Sequence, residues 1–201
     1  MAEIAPSNPK AIKRALRQRI LAQRDQIDAH ERARISRIVL ARVRELPEYR
    51  AAGSVFSYAG FGSELDTFPF LQRVVDDGKT LVMSRVDKSA QALRLYRVAD
   101  VETQLVPGIW GIREPDPRIC PPFSPDAVDF VLMPGAVFDV HCGRIGYGAG
   151  FYDQLLAPLN PLPYLVAGAY DLQVVEEVPM EPHDRRVDRL ITEERELGGD
   201  R

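Results

Sequence analysis

The sequence lacks the features that mark several common classes of protein. Only two of its 201 residues are cysteines, Cys120 and Cys142, and this pair gives neither a disulfide framework nor the spacing of a metal site. No apolar run approaches the ~20 residues of a membrane-spanning helix, and the N-terminal residues do not follow the pattern of a signal peptide. We therefore expect a cytoplasmic protein with no membrane partner.

An excess of positive charge is also missing, because 26 Lys and Arg face 29 Asp and Glu, for a formal net charge of −3. This balance argues against nucleic acid as the main partner. Hydrophobic residues make up 45% of the chain, which is enough for one domain with a sizeable core. We expect a single domain over residues 1–201, with N-terminal helices at about 8–46 and an α/β body at about 53–193.

Helix and strand patterns alternate along the chain and predict an α/β fold. Asn8 before Pro9 is typical of a helix start, and Asp28 with Glu31 predicts a capping box at a second helix, so we expect an N-terminal helical hairpin. A third helix is predicted from 67 to 78, and the Pro-rich stretch 100–127 predicts a long ordered loop. Apolar runs predict strands at 54–59, 80–86, 92–98, 129–133, 164–169 and 187–192.

A glycine-rich segment follows the predicted strand at 129–133. Its glycines lie at positions 143, 146, 148 and 150, with Arg144 among them. Glycine permits close approach to backbone N–H groups, and such groups turned into one concavity bind anions. Arg144 adds a forked cation suited to phosphate oxygens. The segment therefore predicts a phosphate site, with a plain glycine-rich hairpin as the alternative.

The two common phosphate loops do not match this segment. A Walker loop ends in Gly-Lys followed by Ser or Thr, a triplet that does not occur in the sequence. A dinucleotide fingerprint that begins at Gly146 needs Gly or Ala at position 151, where Phe151 stands. Anion binding stays plausible on these grounds, and both families are excluded.

The segment resembles the signature of the 5-formyltetrahydrofolate cyclo-ligases, also called methenyltetrahydrofolate synthetases. The likeness covers Met133-Pro-Gly-x-x-Phe-Asp139 and then Gly143-Arg-x-Gly-Tyr-Gly-x-Gly-Phe-Tyr-Asp153. Near the N-terminus, Lys13-Arg-Ala-Leu-Arg17 resembles the family's Lys-x-x-Leu-Arg motif, and residues 183–192 resemble its last motif. Some members have Arg at the position of Tyr147, and Lys or Gly at that of Ala149, which leaves more of the charge to Lys13, Arg17 and Arg144.

The resemblance implies a three-layer α/β/α domain with a twisted, mostly parallel sheet, in which ATP and a reduced folate share one cleft. It implies catalytic roles for Lys13 and Arg144, and a Mg²⁺ cofactor held by Asp153 and Asp188. The implied ATP site comprises Lys13, Arg14, Arg17, Gly143, Arg144, Ile145, Gly146, Tyr147, Gly148, Ala149, Gly150 and Phe151. The implied folate site comprises Ala59, Glu64, Trp110, Tyr147, Phe151 and Tyr152. We expect a monomer whose partners are small molecules.

Several of these residues have plainer interpretations. Lys13 and Arg17 lie four residues apart on one helix face, where they would otherwise be solvated cations. Glu64 follows a predicted strand and turn, and its two oxygens suit the paired N–H donors of a pterin, or it is a solvated turn acid. Trp110 either fills a core gap or stacks on a ligand, and Asp153 either binds metal or caps a short helix. His183 has no metal-ligand spacing and is interpreted as structural or solvated.

The implied reaction is ATP-driven closure of 5-formyltetrahydrofolate to 5,10-methenyltetrahydrofolate, with release of ADP and phosphate. A formamide oxygen carries no proton, so its attack on phosphate needs no general base, and the sequence shows no Ser-His-Asp or Cys-His arrangement. Two other hypotheses stay open: a sugar-phosphate isomerase or sensor domain that uses the same glycine-rich segment, and a nucleotide-binding protein without catalysis.

Overall fold

The computed structural model of the protein describes residues 8–182 and 184–199, without the side chain of Trp110. The roles predicted for His183 and for the Trp110 side chain therefore lie outside the described residues. Over the described part of the chain, no helix is long and apolar enough to cross a bilayer.

The described residues form five α-helices and twelve strands, joined by short turns. The helices are α1 (Pro9–Arg24), α2 (Ala29–Glu45), α3 (Pro47–Ala51), α4 (Phe68–Asp76) and α5 (Phe151–Leu156). The strands are β1 (Ser54–Ser57), β2 (Thr80–Asp87), β3 (Ala92–Val98), β4 (Leu105–Pro107), β5 (Arg113–Pro115), β6 (Phe130–Met133), β7 (Val137–Asp139), β8 (Arg144–Ile145), β9 (Tyr164–Gly168), β10 (Val174–Val175), β11 (Arg189–Ile191) and β12 (Glu196–Gly198). Single 3₁₀ turns span Ile109–Gly111, Pro125–Ala127 and Asp171–Gln173.

The central sheet has seven strands in the spatial order β12-β11-β9-β6-β1-β2-β3. The inner strands β11, β9, β6, β1 and β2 are parallel, and the two edge strands pair antiparallel. Successive side chains of a strand point to opposite faces, so Val55 packs with α2, α3 and α4 while Phe56 packs on the α5 side. The predicted three-layer fold with a mostly parallel sheet is confirmed.

The two N-terminal helices begin where their capping residues predict. Asn8 caps α1 and Asp28 caps α2 through side-chain oxygens. The predicted capping box is wrong at Glu31, whose carboxylate binds Arg34 on the same helix face instead. The predicted hairpin consists of two consecutive helices with separate partners, because α1 packs on β7 and the 3₁₀ turn at 171–173, whereas α2 packs on β9 and β11.

The stretch 100–127 is not the continuous loop that its prolines predict. Leu105–Pro107 pairs with Arg113–Pro115 in a small antiparallel sheet of two strands. Proline has no N–H to donate and is therefore confined to strand edges, and here each proline ends a strand that has only one neighbour. Strands of three residues are too short for a periodic pattern, which explains why the sequence does not predict them.

The order of the strands places a ligand-binding crevice between β1 and β6. From β1 the chain passes through α4 to β2 on one side, and from β6 it continues to β9 and β11 on the other side. Ligands of open α/β sheets bind at such a reversal of strand order, beyond the carboxyl ends of the strands. A ligand site is therefore expected at the carboxyl ends of β1 and β6.

Candidate active site

A cleft of about 1100 Å³ opens at the carboxyl ends of β1 and β6. It lies between α1, the turn after β1, the glycine-rich segment 143–150 and the start of α5. The cleft brings together most of the predicted site residues: Lys13, Arg17, Ala59, Glu64, Arg144, Ile145, Gly146, Tyr147, Gly148, Ala149, Gly150, Phe151, Tyr152 and Asp153. Its volume exceeds that of a typical pocket for one small ligand.

The glycine-rich segment exposes its backbone to the cleft. Residues 147–150 are solvent-exposed, and their N–H groups donate to no acceptor in the described part of the chain. Gly148 and Gly150 have φ angles of 102° and 68°, which side chains disfavour. These backbone N–H groups are thus available to a ligand in the cleft.

Arg17 reaches the glycine-rich segment from α1. Its Nε donates to the carbonyl oxygen of Gly146 at 2.7 Å, and its guanidinium lies against Gly148, where an added Cβ would be 3.6 Å from Nη1. Burial lowers the pKa of Arg17, although an arginine stays charged at any physiological pH. Within the described residues Arg17 forms no ion pair, so its charge is available to a bound anion.

Lys13 enters the same cleft one turn earlier in α1, but it is already paired. Its Nζ donates to Glu181 at 2.7 Å and also to Asp184. Burial lowers the pKa of Lys13, and the two carboxylates outweigh that effect, so that the pKa is raised. The ion pairs hold Lys13 as an ammonium group at the cleft wall.

Arg144 lies beneath the glycine-rich segment rather than on its surface. It is only 6% exposed, and its Nη1 donates to the carbonyl oxygen of Pro134 at 3.1 Å. Its Nη2 donates to both carboxylate oxygens of Asp153, at 3.1 and 2.9 Å. Asp153 lies inside α5, whose N-cap is Gly150, so the alternative prediction that Asp153 caps that helix is wrong. The ion pair between Arg144 and Asp153 thus holds the glycine-rich segment against α5.

Three predicted site residues do not line the cleft. Gly143 donates its N–H to Asp139 Oδ1 at 2.7 Å, and Arg14 is solvent-exposed on α1. Asp188 precedes β11, and its Oδ2 accepts the N–H of Leu165 at 2.7 Å. That position is at the amino ends of β9 and β11, away from the carboxyl ends where the cleft opens. The structure therefore does not support a metal site that joins Asp153 to Asp188.

Glu64 occupies the turn between β1 and α4 and is 8% exposed. Its Oε2 accepts the N–H of Phe61 at 3.1 Å. Burial raises the pKa of Glu64, and hydrogen bonds from Tyr147 and Phe61 together with the charge of Arg24 oppose that rise. Glu64 is therefore a desolvated acceptor at the cleft, which removes the interpretation as a solvated turn acid.

The turn that carries Glu64 is held by Thr67. The Thr67 hydroxyl accepts the N–H of Gly60 and donates to the carbonyl oxygen of Tyr58, both at 2.8 Å. Thr67 begins α4 as predicted, but its side chain makes no capping hydrogen bond. Gly60 is required because an added Cβ would lie 2.1 Å from the Leu65 carbonyl oxygen.

Aromatic rings form the remaining surface on the Glu64 side. Tyr152 stacks on Phe56 with ring centroids 5.4 Å apart. At the mouth, Phe61 and Tyr147 lie 5.9 Å apart and are 42% and 38% exposed. Exposed rings beside an acceptor suit a flat heterocycle with polar edges.

The sequence did not single out two buried charges near the cleft, Arg24 and Glu114. Each is 5% exposed. Glu114 lines the cleft and lies 3.5 Å from Arg85 in an ion pair. The burial of Arg24 could have been predicted, because Arg24 is the next position in the series of apolar residues that recur every fourth residue of α1 up to Ile20. No pattern marked Glu114, since its burial depends on the unpredicted β4–β5 sheet.

The fold and the cleft define an α/β protein that presents backbone N–H donors and an arginine beside a buried carboxylate. Residues 9–193 match the model of the 5-formyltetrahydrofolate cyclo-ligase family. The chain belongs to that family.

Individual relatives agree with this assignment. The chain is 32% identical to a 5,10-methenyltetrahydrofolate synthetase of known structure from Aquifex aeolicus, with a TM-score of 0.82 and 94% of each chain covered. It is 26% identical over 191 residues to the 5-formyltetrahydrofolate cyclo-ligase of Mus musculus, which covers 90% of this chain and 94% of the mouse protein. A synthetase structure from Mycoplasma pneumoniae, at 19% identity, shares the fold with a TM-score of 0.72 over 90% of this chain and 98% of that one.

Proposed function

We propose that the protein uses ATP to close 5-formyltetrahydrofolate into 5,10-methenyltetrahydrofolate, with release of ADP and phosphate. One observation supports this proposal above the others. A single cleft joins anion-binding backbone and Arg17 to the buried carboxylate of Glu64, in a chain of the cyclo-ligase family. A triphosphate and a pterin with paired N–H donors match these two sides.

The nucleotide side receives the phosphates of ATP. The N–H groups of residues 147–150 donate to phosphate oxygens, and the Arg17 guanidinium adds charge-assisted hydrogen bonds. Lys13 supplies a second positive charge from α1 that stabilises the transferring phosphoryl group. Arg144, bound to Asp153, keeps the segment in the shape that binds phosphate.

The folate side orients the pterin. Both oxygens of Glu64 accept from its paired N–H donors, and Phe61, Tyr147 and Tyr152 offer rings to its flat face. Ala59, 6% exposed at the end of β1, leaves room for the heterocycle beside Glu64. This orientation directs the formyl group toward the glycine-rich segment.

The chemistry then proceeds by positioning and charge stabilisation. The formyl oxygen attacks the γ-phosphorus and the bond to ADP breaks, so the oxygen becomes a phosphate ester. N10 attacks the activated formyl carbon, the carbon–oxygen bond breaks with its electron pair leaving on phosphate, and N10 releases its proton. No general base is required for the first step, because the formamide oxygen carries no proton.

Magnesium is the cofactor that the family resemblance implies, and Asp153 is a carboxylate of the cleft that fits it. Asp153 lines the cleft with 21% of its side chain exposed. Over the described residues no group of three or more His, Cys, Asp or Glu can hold a metal, and Mg²⁺ habitually takes one or two carboxylates, with waters and phosphates completing its shell. Bound there, the ion would neutralise charge on the phosphates of ATP. Asp188 is not part of this proposal.

The test is an assay of purified protein with 5-formyltetrahydrofolate, with and without Mg-ATP, that follows the near-ultraviolet band of the methenyl product. An ATP-dependent band supports the proposal, and its absence from well-folded protein contradicts it. Nucleotide binding without turnover would instead support the non-catalytic hypothesis. Binding of a sugar phosphate but not of ATP would support the isomerase or sensor hypothesis.

We also propose that the enzyme is a cytoplasmic monomer. Cys120 and Cys142 are both buried free thiols, the state that a reducing compartment maintains. The cleft is formed by residues of one chain and needs no second copy. Light scattering after size-exclusion chromatography at micromolar protein tests the monomer, and a mass corresponding to a dimer would contradict it.

A further inference from the structure

Arg24 is the last residue of α1, and its guanidinium joins the two sides of the cleft. Its Nε donates to Ser63 Oγ at 2.9 Å, in the turn that carries Glu64. Its Nη1 donates to the Tyr147 hydroxyl at 2.8 Å, in the glycine-rich segment, and its Cζ lies 5.9 Å from the centroid of the Tyr147 ring. One buried cation thus ties two segments that are remote in sequence.

The hydrogen bonds continue beyond Arg24. Ser63 donates to Asp25, the residue that follows α1, and Ser63 immediately precedes Glu64 in the turn. Tyr147 lines the cleft together with Glu64. The chain of hydrogen bonds therefore runs from Asp25 through Ser63 and Arg24 to Tyr147. Connected hydrogen bonds of this kind restrain all their members, because moving one member leaves buried donors or acceptors unpaired.

Glu64 is surrounded mainly by groups that cannot neutralise it. Tyr58 at the end of β1, Tyr147 in the glycine-rich segment and Tyr152 in α5 all interact with its charge. Among the described residues, Arg24 is the cation whose charge acts on Glu64, and it is hydrogen-bonded to the adjacent Ser63. A carboxylate that is 8% exposed needs such a charge to stay ionised.

We propose that Arg24 is a positioning residue for the folate side: it fixes the Tyr147 hydroxyl relative to the turn that carries Glu64 and holds a positive charge on that turn. The inference rests on the proposed function and assigns the proposed folate carboxylate its supporting charge. It makes the shape of the folate side depend on the glycine-rich segment, because Tyr147 belongs to both.

The experiment compares Arg24→Met with Arg19→Met in steady-state kinetics. Arg19 is an exposed cation of the same helix and forms no side-chain hydrogen bond within the described residues. For Arg24→Met we expect the KM for 5-formyltetrahydrofolate to rise about tenfold or more, the loss expected for a charged hydrogen bond. The KM for ATP should change by less than about twofold, and Arg19→Met should resemble wild type in both.

The pH profile separates charge from scaffolding. Glu64 must be ionised to accept, so the KM for folate rises as pH falls toward its pKa. Loss of Arg24 raises that pKa, and the rise in KM should therefore begin at higher pH in Arg24→Met than in wild type. Arg24→Lys keeps the positive charge but loses the guanidinium that bonds Ser63 and Tyr147 at once. It should therefore retain the wild-type pH profile while its KM for folate stays elevated.

Tyr147→Phe provides a second variant that cannot fail by unfolding the core, because the ring is 38% exposed. It removes the hydroxyl that accepts from Arg24 and should raise the KM for folate in the same direction. The double variant should be non-additive with Arg24→Met, since both act through one chain of hydrogen bonds. Additive effects would overturn the proposal.

Two further outcomes are decisive. Equal rises in both KM values for Arg24→Met, with an unchanged pH profile, would mean that Arg24 is only a structural link between α1 and the body. A wild-type enzyme that forms no methenyl product would contradict the proposed function itself. In that event calorimetric titration of 5-formyltetrahydrofolate into wild type and Arg24→Met still tests Arg24, and equal affinities would overturn the inference.

Discussion

The two sides of the cleft offer different groups to the ligands proposed for them. The proposed nucleotide side offers exposed backbone N–H groups at 147–150 and cations such as Arg17 that stay charged at any working pH. The proposed folate side offers one carboxylate, Glu64, that is 8% exposed and surrounded by tyrosines. A polyanion is bound by donors that remain partly hydrated, whereas a flat heterocycle needs a desolvated acceptor whose charge depends on its surroundings.

This difference has a consequence for mutational analysis. Changes on the nucleotide side should alter the response to ATP in a way that varies little with pH between about 5 and 8, because guanidinium and amide groups do not titrate there. Changes on the folate side should alter the response to folate and shift its pH dependence. Four predictions test this contrast, from the largest expected effect to the smallest.

Gly148→Val should lower kcat/KM for ATP by at least ~100-fold, more than a single charged hydrogen bond contributes. A β-branched side chain disfavours the φ of 102° at Gly148 and would lie against Arg17. Steady-state assays beside melting curves measure the effect. Gly78→Val is the matched control, since Gly78 also has a positive φ but ends α4 away from the cleft. Equal activity of the two variants would contradict a phosphate site at the segment.

Arg17→Ala should reduce kcat/KM for ATP by roughly ten- to a hundredfold, the equivalent of about 1.5–3 kcal/mol. The reason is that its guanidinium supplies charge to the nucleotide side without a competing carboxylate in the described residues. The KM for folate should stay near wild type. Arg19→Ala, an exposed neighbour on α1, serves as control. An Arg17 variant as active as the Arg19 variant would show that α1 is only scaffolding.

Glu64→Gln should raise the KM for 5-formyltetrahydrofolate about tenfold and leave nucleotide affinity unchanged, because one acceptor and the charge are lost. In wild type, burial raises the pKa of Glu64, so folate affinity is full above that pKa and is lost as pH falls through it. In Glu64→Gln the affinity for folate should no longer fall as the pH is lowered. Titrations of both ligands over a pH series provide the measurement, and a fall in ATP affinity instead would place Glu64 on the nucleotide side.

The smallest effect is expected from a comparison of Asp153→Asn with Asp188→Asn. The Mg²⁺ concentration that gives half-maximal activity should rise several-fold for Asp153→Asn, because Asp153 lines the cleft. It should stay unchanged for Asp188→Asn, whose cost falls on stability, about 1 kcal/mol for the weakened bond to Leu165. An equal rise in the half-maximal Mg²⁺ concentration for both variants would show that Asp188 also belongs to the metal site.

The boundaries of most elements follow from local patterns. Asn8 and Asp28 cap α1 and α2 as predicted, and β3 spans the predicted residues 92–98. These features depend on neighbours in sequence, which is why they are visible there. The capping-box partner Glu31 was wrong for a related reason: two local partners competed, and Arg34 at i+3 offers a charge where the backbone offers only a dipole.

The misplacement of Asp188 has a general cause. The family resemblance pairs it with Asp153, but Asp188 precedes its strand while the ligands of a parallel sheet lie beyond the carboxyl ends. The strand predicted at 187–192 already places Asp188 at its amino end, so the sequence itself argued against a metal site at that residue. The contact with Leu165, by contrast, requires the register of β9 and β11.

By itself the sequence determined the α/β class, the place of the glycine-rich segment after a buried strand and the shared helix face of Lys13 and Arg17, because each follows from spacing along the chain. Only the tertiary structure decided that Arg144 lies under the segment, that Glu64 is desolvated and that Arg24 joins the two sides. Burial and hydrogen-bond partners depend on which remote segments the sheet order brings together. An arginine at the end of an amphipathic helix looks the same in sequence whether it meets water or a buried carboxylate.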